Sequence, residues 1–214
     1  TQRLPDFDGE WTTKRLGDVF DLLGTANNSR KDLSDHGDVA YIHYGDIHTF
    51  TKSHLDLQQD NLPFIDDHKV QNADPLQDGD LVMVDASEDY EGVGKSIEVN
   101  GLNSIKAVAG LHTFLLRGAD SYLADGFKGY MQHMPELKEA LHRIATGTSV
   151  YGISKTKIKD IDLRLPPVDE QKAIATILSG MGAEIEALQA RRDKTQDIKQ
   201  GMMQELLTGR TRLV

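Results

Sequence analysis

Gly94-Lys95-Ser96, in YEGVGKSIEV, match the last three positions of a phosphate-binding loop, where the lysine reaches phosphate and the hydroxyl a magnesium ion. That chemistry also needs a glycine five residues before Gly94, and the chain has Asp89 there. It needs a following helix whose N-terminus cradles phosphate. SIEV, with two β-branched residues, predicts a strand instead. Nucleotide hydrolysis is therefore excluded. Eight histidines could supply metal ligands, but no two have helical spacing, and His43, His48 and His54 are scattered through strand and loop. Asp85, Glu88 and Asp89 could hold a divalent ion as nuclease carboxylates do. No lysine follows at the two-residue spacing of such sites, and the three acids read as solvated surface. No glycine-rich loop follows a strand to bind S-adenosylmethionine. The sequence thus predicts no catalytic residue, no metal and no cofactor.

Hydroxyls, amides and cations remain, and these suit nucleic acid. Phosphate contacts supply affinity and base edges supply sequence choice. Lys155, Lys157 and Lys159 alternate: extended, they share one face; helical, they spread over more than half a turn. Thr146, Thr148, Ser149 and Tyr151 place hydroxyl and backbone donors beside them. Asn27, Asn28, Arg30 and Lys31, in NNSRK, form a second candidate, since amides and arginine match adenine and guanine edges. Lys14 and Arg15 are candidates for phosphate. The competing reading of each is an ordinary solvated loop.

Charge first argues against nucleic acid, because the 214 residues carry a formal net charge of −10. Its distribution changes the argument. Between Asp56 and Glu91 there are eleven Asp/Glu and one Lys, so this segment alone accounts for the total. Between Lys138 and Arg164, six Lys/Arg face three acids. The acidic segment is expected to point away from a duplex, or toward a basic partner. A mean hydropathy of −0.45 is polar for a globular chain but too apolar for a disordered one. There is no cysteine, no apolar run long enough for a bilayer and no signal peptide at the start, which predicts a soluble cytoplasmic protein.

Several elements must position these groups. Leu16, Val19, Phe20 and Leu23 have helical spacing that ends at Gly24. VAYIHYGDI, DLVMVDA, SIEVNG and LHTFLLRG predict strands. DGFKGYMQHMPELKEALHRIATG predicts two short helices broken before Pro135. IDLRLPP alternates and predicts an edge strand stopped by proline. From Asp169 to Leu207 no proline occurs. Asp169 is placed to cap a helix there, with Val168 as a hydrophobic staple. Ile174, Leu178, Met181, Ile185 and Leu188 recur with 4-3-4-3 spacing. Arg192 and Thr195 interrupt the stripe, and Ile198, Met202 and Leu206 resume it. Such a helix spans roughly 55–60 Å, against about 35 Å for a compact domain of this size. A narrow stripe of that length fits a coiled-coil seam better than a helix lying across its own domain. Gly180 and Gly182 weaken it by about 1 kcal/mol each. The expected fold class is α+β: a mixed domain over residues 1–165, then a long helix over 166–214 forming an antiparallel coiled coil in a dimer.

GTSVYGISKTKIKDIDLRLPPVDEQKAIATIL and KQGMMQELLTGRTRL together resemble the end of a target-recognition domain and the helix that follows it in Type I restriction-modification specificity subunits. RLPDFDGEWTTKRLGDVF is similar to that family's domain opening, and LQDGDLVMV and FKGYMQHMPELKEALHRIATGTSVYGIS fit the same pattern. The resemblance implies a subunit that chooses the DNA sequence and holds the modification (methyltransferase) subunits, with the restriction subunit joined indirectly and all catalysis on other chains. Family members carry two recognition domains and two helices, and this chain has one of each. It is a natural half-subunit or an excised half. A half-subunit would act as a homodimer, and its two-fold axis implies an inverted-repeat target with a spacer. Two other readings compete: the specificity domain of a fused restriction-methylation enzyme, and an interaction module whose acidity mimics DNA.

Overall fold

The longest apolar runs of the sequence become its buried strands. The computed structural model describes residues 3–211. In chain order they form β1 (Thr12–Arg15), α1 (Leu16–Val19), β2 (Phe20–Leu23), β3 (Val39–Ile42), α2 (Tyr44–Thr49), β4 (His54–Asp56) and β5 (Phe64–Ile65). Next come β6 (Leu81–Val84), β7 (Ala86–Ser87), β8 (Ser96–Asn100), β9 (Ala107–Ala109), β10 (Thr113–Gly118) and α3 (Pro135–Ile144). The last elements are β11 (Tyr151–Gly152), α4 (Lys155–Lys159), β12 (Asp162–Leu165) and α5 (Val168–Leu207). The chain divides into two compact units, Thr1–Ala173 and Ile174–Val214.

The first unit is built on a mixed five-stranded sheet of order β2-β10-β6-β8-β4, in which only β4 and β8 pair in parallel. A three-stranded sheet of order β5-β3-β9 packs with it. Ala40, Ile42, Ala107 and Ala109 from the smaller sheet share one core with Val82, Val84, Ile97, Val99 and Leu115 from the larger. β3 and β6 are buried at every residue, which is why they read as continuous apolar runs rather than alternating ones. Gly110 is required by close approach: a Cβ there would lie 2.0 Å from the ring of the buried Tyr41.

Three local expectations are corrected. The helix expected from Leu16 to Leu23 stops after one turn. Phe20–Leu23 is instead the strand β2, whose ladder with β10 sets Leu22 opposite Leu116. Four apolar residues so spaced suit either element, and the sheet edge decides. VAYIHYGDI is not one strand. His43 accepts a hydrogen bond from the Gly45 N–H at 3.1 Å, and Asp46 accepts one from the His43 N–H at 3.1 Å. This capping box starts α2. At α5, Val168 is already helical, so Asp169 lies within the first turn and not at the cap. Its charge there still complements the helix dipole.

The opening of α5 is bound into the first unit by buried polar side chains. Glu170, 1% exposed, accepts from Arg3 Nε at 3.1 Å, from Arg3 Nη2, and from Trp11 Nε1 at 3.2 Å. Gln171, fully buried, accepts from the Ala124 N–H at 2.9 Å and donates to the carbonyls of Tyr122 and Pro166 at 2.8 and 2.9 Å. Its amide is thereby satisfied on both sides. β12 pairs with β1, setting Leu165 opposite Thr12, so the strand before Pro166-Pro167 is tied to the beginning of the domain.

In the second unit the helix runs unbroken through Gly180 and Gly182. Met181, Ile185, Leu188, Ile198 and Met202 are all exposed, as is Leu178; Ile174 and Leu206 are half-buried.

Candidate nucleic-acid interface

Residues 146–152 form a small hairpin. Thr146 and Gly152 exchange both backbone hydrogen bonds, at 3.0 and 2.9 Å. Gly147 turns the tip at φ +148°, where a Cβ would sit 1.8 Å from the Val150 carbonyl oxygen. Thr148, Ser149 and Val150 are exposed at that tip. Tyr151 is half-buried: its ring meets Tyr90 edge-on at 4.7 Å, and the Tyr90 hydroxyl donates to the His142 carbonyl at 2.6 Å. Beyond the hairpin, Ser154 caps α4 by accepting from the Lys157 N–H at 3.2 Å. The three lysines are therefore helical. Lys155 and Lys159 lie one turn apart on one side, and Lys157 takes a different direction. Ile158 is the buried anchor, and Lys155 and Lys157 are exposed.

The other candidates occupy two places. Arg15 lies 3.7 Å from Asp160, the residue that closes α4, and Lys14 Nζ sits 5.2 Å from the centre of the Tyr122 ring. Arg15 thus borders α4, while Lys14 lies over Tyr122. In the loop 27–31, Asn27 and Lys31 are exposed. Asn28 is half-buried, with its Oδ1 shielded and without a hydrogen-bond partner. Its carbonyl accepts from the Tyr41 hydroxyl at 2.8 Å, and that hydroxyl accepts from the Leu111 N–H at 3.0 Å. Arg30 pairs with Asp46 of α2 at 2.6 Å.

Between these two places lies a group that sequence spacing did not reveal. His43 and Tyr44 rings are 4.5 Å apart, Tyr44 meets His48 edge-on at 5.9 Å, and Tyr44 meets His112 edge-on at 5.4 Å. His112 Nδ1 is 3.4 Å from Asp85 Oδ1. That is an ion-pair distance without hydrogen-bond geometry, and it leaves Oδ1 buried with no hydrogen-bond partner. The Asp85 carbonyl accepts from the Ile153 N–H at 2.8 Å, joining this group to the hairpin and α4. Burial pushes the Asp85 carboxyl above its usual range, against the opposing pull of His112 and Lys155. Burial lowers His43, and the charges of Arg30 and His112 act in the same direction. His48 is lowered by burial and by Lys95. No sequence period links residues 43, 44, 85 and 112. The only signals were a histidine within a strand run and an acid before β7.

The acidic segment 56–91 runs up to the hairpin at its end, where β7 pairs with β11 and sets Ser87 opposite Tyr151. Most of its carboxylates are engaged within the fold. Asp74 accepts from the Gly24 N–H at 2.6 Å and Asp78 from the Leu102 N–H at 2.9 Å. Asp80 takes Arg117 Nε and Nη2 at 2.8 and 2.7 Å. Asp66 pairs with Lys69, Asp67 with Lys106, and Glu91 with Lys138. Lys95 donates to the carbonyls of His48 and Phe50 at 2.8 and 2.7 Å, closing the end of α2 rather than a phosphate site. Among the described residues, no group of three or more His, Cys, Asp or Glu is placed to hold a metal ion. No helix among them is long and apolar enough to cross a membrane.

Comparison with known proteins adds an independent observation. The family model of the Type I restriction modification DNA specificity domain matches residues 128–195, from the turn before α3 through the hairpin and α4 into α5. A Methanocaldococcus jannaschii protein named as a type I restriction enzyme MjaX specificity subunit is 24% identical over 204 residues, covering 93% of this chain and 46% of its own length. The fold is that of the S subunit of a Type I restriction-modification system from M. genitalium, with a TM-score of 0.62 at 14% identity over 96% of this chain and 47% of that one. It is also that of the HsdS subunit from Thermoanaerobacter tengcongensis, with a TM-score of 0.57 at 18% identity over 94% and 45%. The chain spans about half the length of each relative.

Proposed function

We infer that this chain, which is similar over its length to about half of a Type I restriction-modification specificity subunit, is the sequence-reading subunit of such a system and works as a homodimer. Each domain reads a short DNA sequence through the surface that carries the hairpin tip, α4 and the loop 27–31. The helices pair antiparallel along Ile174, Leu178, Met181, Ile185, Leu188, Ile198, Met202 and Leu206, and set the distance between the two domains. Modification subunits bind to this scaffold and supply methylation, and the restriction subunit joins through them. The setting is the cytoplasm, where the DNA is accessible.

The observation that carries this reading is the exposed seam of α5, where Met181, Ile185, Leu188, Ile198 and Met202 are each 54–58% exposed. A row of large apolar side chains this long implies a partner surface. A second copy of the same helix, running antiparallel, supplies such a surface, since its stripe has the same spacing. Internal hydrogen bonds and ion pairs hold most carboxylates of the acidic segment in place within the fold, which is compatible with DNA contact elsewhere on the domain.

The test is reconstitution. The purified chain alone neither methylates nor cuts DNA, with or without S-adenosylmethionine, ATP and magnesium. Together with its modification subunit it directs methylation to one sequence. Activity of the chain alone, or methylation without sequence preference in the complex, would contradict the reading.

A further inference from the structure

His112 is a half-exposed histidine held on three sides. Its backbone is in the left-handed region at φ +56°, where non-glycine residues are uncommon and strain often marks function. Its Nδ1 faces Asp85, and its ring meets Tyr44 edge-on at 5.4 Å. The Asp85 side chain is 28% exposed although its Oδ1 is shielded, so the exposure falls on its remaining atoms. A carboxylate on the Nδ1 side favours the tautomer with hydrogen on Nδ1, which leaves Nε2 as an acceptor. The ring lies between the two basic places of the domain: Asp85 is joined to the segment that leads into α4, and Tyr44 opens α2, which holds Arg30.

We propose that His112 is a specificity-determining residue, whose Nε2 accepts a hydrogen bond from the exocyclic amino group of a cytosine or adenine in the major groove, and that Asp85 and Tyr44 are positioning residues for it. The proposal rests on the reading of this chain as a DNA-recognition subunit. The major groove presents such an amino group on cytosine and adenine and on neither of the other bases. Arg30 and Lys155, at the two borders of the group, suit the flanking phosphates. An acceptor fixed in tautomer and ring plane discriminates more sharply than a mobile one, because the wrong base leaves it unpaired.

The experiment uses the assembled complex with its modification subunit on a library randomised across the target, reading which sequences become methylated. His112→Gly removes the ring without straining the left-handed backbone, and His112→Asn, which also tolerates that conformation, serves as the second variant. The expected result is that one cytosine or adenine position in each half-site loses about tenfold or more of its preference, while the other positions and the unfolding midpoint are kept. Asp85→Asn should relax the same position by a smaller factor. The wild-type base at that position tells cytosine from adenine. An unchanged motif in a folded variant overturns the proposal. So does an equal loss across all sequences, or a weakened hold on the modification subunit with the motif intact. Wild-type complex that methylates without sequence preference would instead sink the functional reading itself.

Discussion

Within Thr1–Ala173 nearly every large apolar side chain of the sheets is buried, and the buried charges meet partners. Glu98, fully buried on β8, accepts from the Gly126 and Gly129 N–H groups at 2.6 and 2.8 Å and lies 3.5 Å from both Lys128 Nζ and His54 Nε2. In Ile174–Val214 the same kinds of apolar residue recur with equal regularity and remain exposed. The first unit carries its own stability. The second carries an apolar stripe that its own unit leaves exposed. Regular hydrophobic spacing therefore identifies a face that wants burial without saying which chain provides it.

The largest effect that tests this contrast lies in the domain. Glu98→Ala leaves the Gly126 and Gly129 N–H groups without their acceptor and Lys128 with Asp125 alone, at about 1–3 kcal/mol for each unpaired buried donor. Calorimetry should show the domain's Tm fall by roughly 10 °C, and a shift of only a degree or two would mean that the two N–H groups find other acceptors. Next, Ile185→Asp with Leu188→Asp should convert dimer to monomer in sedimentation while leaving the domain's unfolding transition in place. A persisting dimer would move the interface off this seam. Smaller again, Lys155→Glu and Lys157→Glu should weaken DNA binding alike for all sequences and make the salt dependence shallower by about one per phosphate contact removed. Unchanged affinity and slope would place the DNA surface nearer residues 27–31.

The smallest effect is one of pH within the domain. Burial holds the folded pKa of His43 below its ordinary value near 6.5, so between those two values the unfolded chain binds more protons. Stability should then rise with pH across that window and fall as pH drops below about 6.5. His48 acts in the same direction and Asp85 in the opposite one, so a single-site variant isolates the effect. His43→Asn keeps a cap for α2 and should shrink the difference in Tm between pH 5.5 and 7.5. An undiminished difference would assign the dependence to other groups.

What was legible in the sequence follows from range. β6, β8 and β10 are runs of four to six residues whose own patterning marks them, and Pro135 and Pro166-Pro167 punctuate the chain as expected. β5, β7 and β11 have two residues each and exist only through partners far along the chain, as Tyr151 opposite Ser87 shows. The hairpin was legible as a glycine, threonine and serine loop. The His112, Asp85 and Tyr44 group was not, because three segments bring it together and Asp85 read as one more solvated acid. Glu170 and Gln171 read as the start of a helix; their role as buried anchors depends on Arg3, Trp11 and Ala124, which no spacing rule connects to them.

The central claim is that two copies of one domain, related by a two-fold axis through paired helices, read one sequence on opposite strands. Mapping the methylated sites in cells that carry this chain with its modification subunit tests it most directly. With domains roughly 35 Å apart, about one turn of DNA, and about 3–4 bp read by each, the account predicts an inverted repeat with a fixed gap of roughly 6–7 bp. An asymmetric motif, or an inverted repeat without a fixed gap, would contradict it.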